Sequence, residues 1–353
     1  MLKIDDGLSG KLANMGLLCA FLVVFIHTPA DESCRGAWLI RGYFSHGLAK
    51  IAVPYFFTAA GFLLAGRFDQ PGWYSSALRK RAMSLLVPLV FWCAVHYFFR
   101  NVFLPVLGNL LYGRSVFSGM FPAGFRSEDL RLVFALEPYR QPYLAVLWFL
   151  RTLFVLVAAS PLLRRLAKPW FIIPVWLANG WIFPDYGVEC TEFTFMFQEG
   201  FLSLFGTAYF CLGMYLRSRS AAFGVKKAYA LIALAMGAFI LSVRGGDPYV
   251  DVASRTLTWL SIPFLLCGVW SLMPSKPLPR ALTSLAFPVY ILHTGVIEIL
   301  GLVGERAGML SVFTGTTAGY CAFGVVIASL AALVAFGLRR FLPNAARVVF
   351  GGR

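Results

Sequence analysis

The amino-acid sequence predicts an all-α, polytopic integral membrane protein with about ten transmembrane helices. Apolar residues make up 59% of the 353 residues and charged residues only 13%, whereas soluble domains carry roughly 25% charged residues. The apolar residues form blocks close to the roughly 20 residues that a helix needs to cross a bilayer. Basic residues cluster between these blocks, where signals for membrane orientation belong.

The apolar blocks define ten predicted spans within a single transmembrane domain over residues 1–353. No polar stretch is long enough to predict an attached soluble domain. The fifth span is short and contains Pro174 and Gly180, which disfavour a regular helix. The spans cover 12–30, 48–66, 83–104, 143–163, 169–184, 201–216, 228–243, 256–273, 281–303 and 314–338.

The distribution of Lys and Arg predicts the orientation of these spans. Every second connecting segment is strongly basic, as in Arg79–Arg81 and Arg164–Lys168, and both termini fall in this basic set. The alternate set includes 185–199, which holds Asp185, Glu189, Glu192 and Glu199 but neither Lys nor Arg. Because basic loops stay in the cytoplasm, we expect cytoplasmic N and C termini and an even number of spans.

Charge and motifs exclude several classes of function. The net charge is +15, but the basic residues alternate with apolar blocks, so the pattern does not indicate nucleic-acid binding. The sequence contains no CxxC pair, no Walker motif and no GxGxxG loop. We therefore expect no metal site, and any nucleotide would be held by side chains.

Four ionisable residues lie inside predicted spans, where each costs several kcal/mol and needs a reason. His27, Arg151 and Glu298 fall toward the outer side and His293 lies deeper, so we expect one cavity that opens outward. Alternative interpretations remain open. A lone His can hydrogen-bond a neighbouring helix, and Arg151 can form a structural ion pair with Glu298.

For the remaining polar groups we expect no chemical role. His96, beside Arg100, and His46 fall in this class. Arg79, Lys80 and Arg81 alone would serve as an orientation signal.

A histidine near the outer end of a span suits proton transfer. Neutral imidazole accepts a proton from a hydroxyl near neutral pH and returns it to a leaving thiolate. An activated donor would come from the cytoplasm, and a basic inner mouth suits a phosphate-rich carrier such as coenzyme A. His27 acts in this scheme either as a general base or as a covalent acyl carrier.

Five segments, in this order and spacing, resemble the motifs of the membrane-bound acyltransferase-3 family. They are Phe21–Thr28 (FLVVFIHT), Lys50–Gly66 (KIAVPYFFTAAGFLLAG), Arg79–Pro88 (RKRAMSLLVP), Leu147–Pro161 (LWFLRTLFVLVAASP) and Phe287–Thr294 (FPVYILHT). The resemblance implies transfer of an acyl group, usually acetyl, from acyl-CoA to a carbohydrate such as a surface or periplasmic glycan. The resemblance also implies that the protein lies in the bacterial cytoplasmic (inner) membrane, in contact with membrane lipids.

The resemblance also implies roles for individual residues. His27 corresponds to the essential first-helix histidine, Arg79 and Arg81 to a cytoplasmic arginine cluster, and Lys50 to a position where many members have Arg. One position departs from the pattern, because Gly16 stands where members usually carry a basic residue. Our predicted site has His27 as the catalytic residue and, for substrate binding, Lys50, Arg79, Arg81, Arg151, His293 and Glu298.

Three functions from different classes follow from these residues. The first is an O-acyltransferase in which acyl-CoA reaches His27 from the cytoplasmic side. The second is a transporter or export subunit for a glycan or lipid-linked sugar, whose intramembrane polar residues line a pathway. The third is a non-catalytic scaffold of a polysaccharide-assembly complex.

Overall fold

In a computed structural model of the chain, all regular structure of the described residues is helical. The described residues are 6–31, 35–45, 47–113, 127–137, 140–182, 197, 200–219, 225–244 and 252–351. The longer helices are α1 (Asp6–His27), α2 (Ala52–Ala65), α3 (Trp73–Leu111), α4 (Trp148–Ala158), α5 (Ser160–Leu166), α6 (Pro169–Ile182), α7 (Leu204–Ser218), α8 (Val225–Arg244), α9 (Val252–Leu272), α10 (Ala286–Arg306) and α11 (Thr317–Phe341). Shorter helical segments are Arg35–Ile40, Arg41–Ser45, Leu48–Ile51, Ser127–Val133, Ala145–Leu147, Arg280–Thr283, Leu310–Thr314 and Pro343–Val349.

The helices coincide with the predicted spans, and part of them are long and apolar enough to cross a membrane. Each of the ten predicted segments overlaps a helix, with α4 and α5 sharing the fourth. Five stretches of the described chain qualify as spans by length and hydropathy: Asp6–His27, Arg41–Ala65, Trp73–Leu111, Ala286–Arg306 and Thr317–Phe341. A sixth is reached if Ala145–Ala158 and Ser160–Leu166, bent by 77°, count as one span.

The prediction of several membrane-spanning helices is thus confirmed, and the predicted number of ten spans stays a prediction. Helices α6 and α7 have only 14 and 15 residues, shorter than the roughly 20 that a straight crossing needs. Apart from Phe197, the acidic stretch 185–199 lies outside the described residues, and so does His46.

The lipid-facing surface is visible on α11. Leu333, Phe336 and Phe341 are exposed by 65%, 63% and 82%. Large apolar side chains exposed in this way along one helix face belong against lipid rather than water. Toward the protein, α11 packs on α10.

Helix α3 corrects one predicted boundary, because it begins at Trp73 and carries Arg79–Arg81 inside the helix rather than in a loop. Lys and Arg are good helix formers, so the basic cluster continues the helix instead of ending it. Two π-helical segments interrupt α3, Ala82–Leu86 and Phe99–Phe103. Each lies just before a proline, Pro88 or Pro105. The wider π turn relieves the clash between a proline ring and the preceding turn, so the helix passes both prolines.

Helices α2 and α7 pack closely against each other, and glycine makes this approach possible. A Cβ atom at Gly61 of α2 would overlap the Phe210 carbonyl oxygen, and one at Gly213 of α7 would overlap the Thr58 carbonyl oxygen. Two glycines therefore place each backbone directly against the other, a packing typical of helices in membranes. This contact fixes α2, which carries one wall of the candidate site described below.

We expect Gly213→Val to destabilise the protein by about 1–3 kcal/mol or more, because the added side chain has to push α2 away from α7. The measurement is thermal unfolding of the purified protein in detergent. Gly337→Val in α11 is the matched control, since no atom lies within 4 Å of a Cβ at that position. Equal melting temperatures for the two variants would contradict the close packing.

The basic ends of the helices contact one another at one end of the bundle. The amide of Asn14 donates hydrogen bonds to the Pro274 and Lys276 carbonyl oxygens. Arg164 forms an ion pair with Asp69, with 3.6 Å between Nη2 and Oδ1. The segments assigned to one side of the membrane from their charge therefore lie next to each other.

Candidate functional site

His27 is the last residue of α1, and its side chain is exposed. Two hydroxyl groups cap the end of this helix. The Thr28 hydroxyl donates to the Val24 carbonyl oxygen at 2.9 Å, and the Tyr320 hydroxyl donates to the Phe25 carbonyl oxygen at 2.7 Å. The helix end is therefore fixed while the imidazole itself stays accessible.

The ring of His293 lies beside that of His27, with 5.2 Å between the centroids and 37° between the ring planes. His293 is fully buried, and its Nδ1 lies 2.7 Å from the Tyr290 carbonyl oxygen. Because a carbonyl oxygen only accepts, Nδ1 carries the proton and Nε2 carries the lone pair. This buried Nε2 has no hydrogen-bond partner among the described residues.

Lys50 belongs to the same neighbourhood. It lies in the short helix Leu48–Ile51, which packs on α1 immediately before α2 begins. Its ammonium group is within electrostatic range of His27. The structure therefore brings together three of the predicted site residues: His27, His293 and Lys50.

Aromatic rings connect the histidine pair to an apolar cavity of about 120 Å³. The Tyr290 ring lies 6.3 Å from that of His293, and Phe56 and Phe149 each lie 6.2 Å from Tyr290, measured between centroids. These three residues line the cavity, together with four residues just before and at the start of α10: Thr283, Ser284, Ala286 and Phe287. The Tyr290 hydroxyl is fixed by donating to the Val146 carbonyl oxygen.

One face of α2 is partly exposed along its length. Within this helix only Val53, Phe56, Ala60 and Leu63 are partly exposed, and the other residues are buried. Their spacing of three and four residues places them in one stripe on one helix face. Phe56 lines the aromatic cavity and Leu63 lines a second cavity at the basic end. We call this face the α2 stripe.

The second cavity has a volume of about 420 Å³ and a cationic wall, and we call it the cationic cavity. The basic side chains that line it are Arg67, Lys80, Arg81 and Arg217. No Asp or Glu lines it among the described residues. Of the two arginines predicted here, Arg81 lines the cavity. Arg79 is exposed and does not line it.

Arg151 and Glu298 do not form the ion pair considered from the sequence. Nη1 of Arg151 donates to the Glu137 and Arg140 carbonyl oxygens at 2.7 and 3.0 Å, so this buried residue holds the loop before α4. Glu298 instead lies 3.6 Å from Nε of Arg100.

His96 completes this second polar cluster, with 3.9 Å between its Nε2 and Oε1 of Glu298. Glu298 is five residues after His293, which turns it by roughly 140° around α10. It therefore faces α3 while His293 faces α1. The structure thus places Glu298 with His96 and Arg100 rather than with Arg151, and the expected single cavity of His27, Arg151 and Glu298 above His293 stays a prediction.

At Gly16, where the resemblance leads one to expect a basic residue, an aromatic ring lies next to the helix backbone. A Cβ atom at Gly16 would lie 3.8 Å from Cε1 of Tyr55. The Tyr55 hydroxyl donates to the Leu12 carbonyl oxygen at 2.6 Å, which locks the ring in place. A Cβ atom at this position would therefore meet the Tyr55 ring at ordinary van der Waals distance.

No group of three or more His, Cys, Asp or Glu residues in the described part of the chain is arranged to hold a metal ion. The site thus consists of an exposed imidazole, a buried imidazole, one nearby ammonium group and a partly exposed apolar stripe that ends at a cationic cavity. Such a set can move a proton at His27 and stabilise negative charge beside it.

Arg67, Arg217 and Tyr290 were not among the predicted site residues. Arg67 and Arg217 belong to the basic segments, and the sequence pattern assigns them no role beyond membrane orientation. Tyr290 lies inside the motif Phe287–Thr294, three residues before His293, a spacing that places both on one helix face.

Comparison with known proteins identifies a family. A family model described as an acyltransferase domain, Acyl_transf_3, matches residues 17–336, nearly the whole chain. Searches of curated proteins and of solved structures found no match.

Proposed function

The chain belongs to the acyltransferase-3 family and is an acyltransferase with several membrane helices, and from this premise we propose that it carries an acyl group through the membrane. The donor is a cytoplasmic acyl-CoA, most simply acetyl-CoA, and the acceptor is a hydroxyl of a cell-surface or periplasmic carbohydrate.

The α2 stripe is the observation that carries this proposal. It begins beside Lys50, near the histidine pair, and ends at Arg67 in the cationic cavity. The 14 residues of α2 correspond to roughly 21 Å, about two thirds of the roughly 30 Å thickness of the bilayer hydrocarbon core. Phosphates held in the cationic cavity would leave an extended thioester arm lying along the stripe, with its acyl end in the aromatic cavity beside Tyr290 and His293.

The reaction is a transfer from sulfur to oxygen. His27 takes the proton of the acceptor hydroxyl, and the oxygen attacks the thioester carbonyl carbon. The positive charge of Lys50 stabilises the tetrahedral oxyanion. When the carbon–sulfur bond breaks, the imidazolium of His27 returns the proton to the CoA thiolate, so that the products are the ester and free CoA.

His293 acts through His27 rather than on the substrate. Its Nδ1 is occupied by the Tyr290 carbonyl oxygen, so that Nε2 is a fixed acceptor beside the other ring. We propose that Nε2 accepts the ring N–H of His27 during the reaction, which leaves the second nitrogen of His27 as the base. Catalytic hydrogen bonds are often long before substrate binds and tighten in the complex.

The same proposal assigns the sides of the membrane. The contacts between basic helix ends support a cytoplasmic location for the cationic cavity and for both termini. The exposed His27 then faces the outer side, where the carbohydrate arrives. We propose ten membrane-spanning or membrane-entering segments in a single domain, located in the bacterial cytoplasmic membrane.

The test is an assay with purified protein in lipid nanodiscs, radiolabelled acetyl-CoA and a pool of extracted surface glycans. We expect label in the carbohydrate and an equal amount of free CoA. A transporter moves its substrate without a donor, so the absence of CoA release above empty nanodiscs, over the whole glycan pool, would contradict the proposal.

A bulky residue in the α2 stripe should reduce acyl transfer without weakening CoA binding. We expect Ala60→Phe to lower transfer at least about tenfold, because a ring in the stripe blocks the path between the two cavities. CoA binding, measured by thermal shift, should stay within about twofold of wild type, since the cationic cavity is untouched. Ala60 is partly exposed in the stripe, so the new ring need not enter the core.

Ala322→Phe is the matched control, since Ala322 is exposed on α11 and lines neither cavity. We expect it to transfer the acyl group like wild type. Unchanged transfer in Ala60→Phe would show that the acyl arm takes another route.

A further inference from the structure

The cationic cavity contains a buried guanidinium whose charge is not balanced by neighbouring protein groups. Arg217 is only 5% exposed, and its Nε and Nη1 have no hydrogen-bond partner among the described residues. A buried charge is costly unless it is paired and hydrogen-bonded. Its visible contact is the Phe62 ring, 5.0 Å from Cζ, which supplies a weak cation–π interaction.

The surroundings add positive charge rather than neutralise it. Arg67 and Arg81 lie within electrostatic range of each other, and Lys80 lines the same cavity. Within the described chain no carboxylate lies in ion-pair distance of these four cations. Like charges held around one cavity repel, and the attraction of an anion in the cavity offsets both this repulsion and the desolvation cost.

The backbone is shaped to admit the guanidinium. Gly66, directly after α2, contacts it so closely that a Cβ atom there would lie 3.0 Å from Nη2. A residue with a Cβ atom at this position would require the guanidinium to shift by a few tenths of an ångström. Glycine therefore lets the Arg217 guanidinium contact the backbone at the end of α2.

From these observations we propose that Arg217, with Arg67, Lys80 and Arg81, forms a binding site for a phosphate-bearing anion. Guanidinium groups match phosphate oxygens in geometry and charge. Two sources carry this chemistry, the phosphates of a nucleotide such as CoA and the headgroup of an anionic phospholipid. The nucleotide source rests on the proposed function, whereas the anion site does not.

The test combines thermal unfolding and ligand binding for Arg217→Met in nanodiscs. CoA and adenosine 3′,5′-bisphosphate probe the nucleotide source, and phosphatidylglycerol added to phosphatidylcholine probes the lipid source. We expect Arg217→Met to bind its ligand roughly 10- to 100-fold more weakly, as befits a lost charged hydrogen bond. The melting temperature without ligand should not fall, because a buried unbalanced charge has been removed.

Two further variants sharpen the result. Arg217→Lys keeps the charge and should retain part of the affinity, while Arg165→Gln, an exposed cation at the same end that lines no described cavity, should bind like wild type. Loss of either the CoA shift or the phosphatidylglycerol shift in Arg217→Met supports the site and identifies its source.

Wild-type binding of both probes by Arg217→Met would overturn the proposal, and so would a large fall in its melting temperature without ligand. If wild-type protein shows an Arg217-dependent CoA shift but no acyl transfer, the anion site stands and the proposed function fails.

Discussion

Replacing His27 with alanine should abolish acyl transfer, with a fall of roughly 10²- to 10⁴-fold, the usual contribution of a positioned general base. Folding should be unaffected, because the side chain is exposed at the end of α1 and the helix end is capped by Thr28 and Tyr320. The measurements are the rate of CoA release with acceptor present and the melting temperature of the same sample.

Chemical rescue distinguishes a catalytic from a structural histidine. The exposed site leaves space for a small base once the ring is removed, so added imidazole should restore part of the activity of His27→Ala. A merely structural role would give a lower melting temperature and no rescue. Full activity of His27→Ala would remove the proton-transfer mechanism altogether.

Replacing His293 with alanine should lower kcat roughly 10- to 100-fold with little change in KM, because the base remains but loses the group that orients it. The effect is expected to be smaller than that of His27→Ala, since His293 does not touch the acceptor hydroxyl. The measurement is steady-state kinetics in acetyl-CoA and acceptor.

A double-mutant cycle tests whether His293 acts through His27. If it does, the protein with both histidines replaced should be no slower than His27→Ala alone, since the effects of residues that act as a unit are not additive. Fully additive effects would assign His293 an independent role. A collapse of kcat together with the melting temperature would indicate packing instead, because His293 is fully buried.

The helices were predictable because the apolar blocks are long and the charged residues interrupt them at regular points. This reasoning fails at the boundaries of helix α3. A basic cluster and two prolines indicate loop boundaries in a sequence, but lysine and arginine sustain a helix, and π turns carry it past Pro88 and Pro105. Local hydrogen bonding of this kind leaves no hydropathy signal.

The sequence indicates which residues are candidates for the site, but it does not indicate which of them lie together. His27 and His293 are expensive in a membrane, so each is a candidate by itself, but only the packing of α1 on α10 brings the rings together. Arg151 has the same sequence signal, yet its charge serves two backbone carbonyl oxygens of a nearby loop. Arg217 could not be told from the other basic residues that set membrane orientation. Whether an arginine next to a loop is buried depends on helix packing, which the sequence does not show.

Mass spectrometry of surface glycans tests the central claim most directly, that the protein uses His27 as a base to transfer an acyl group to a carbohydrate outside the membrane. Glycans are compared from cells that lack the protein and from the same cells complemented with wild type or with His27→Ala at equal membrane levels. We predict sugars heavier by one acyl group with wild type alone. The same acylated sugars in cells carrying His27→Ala, or none in any of the three, would contradict it.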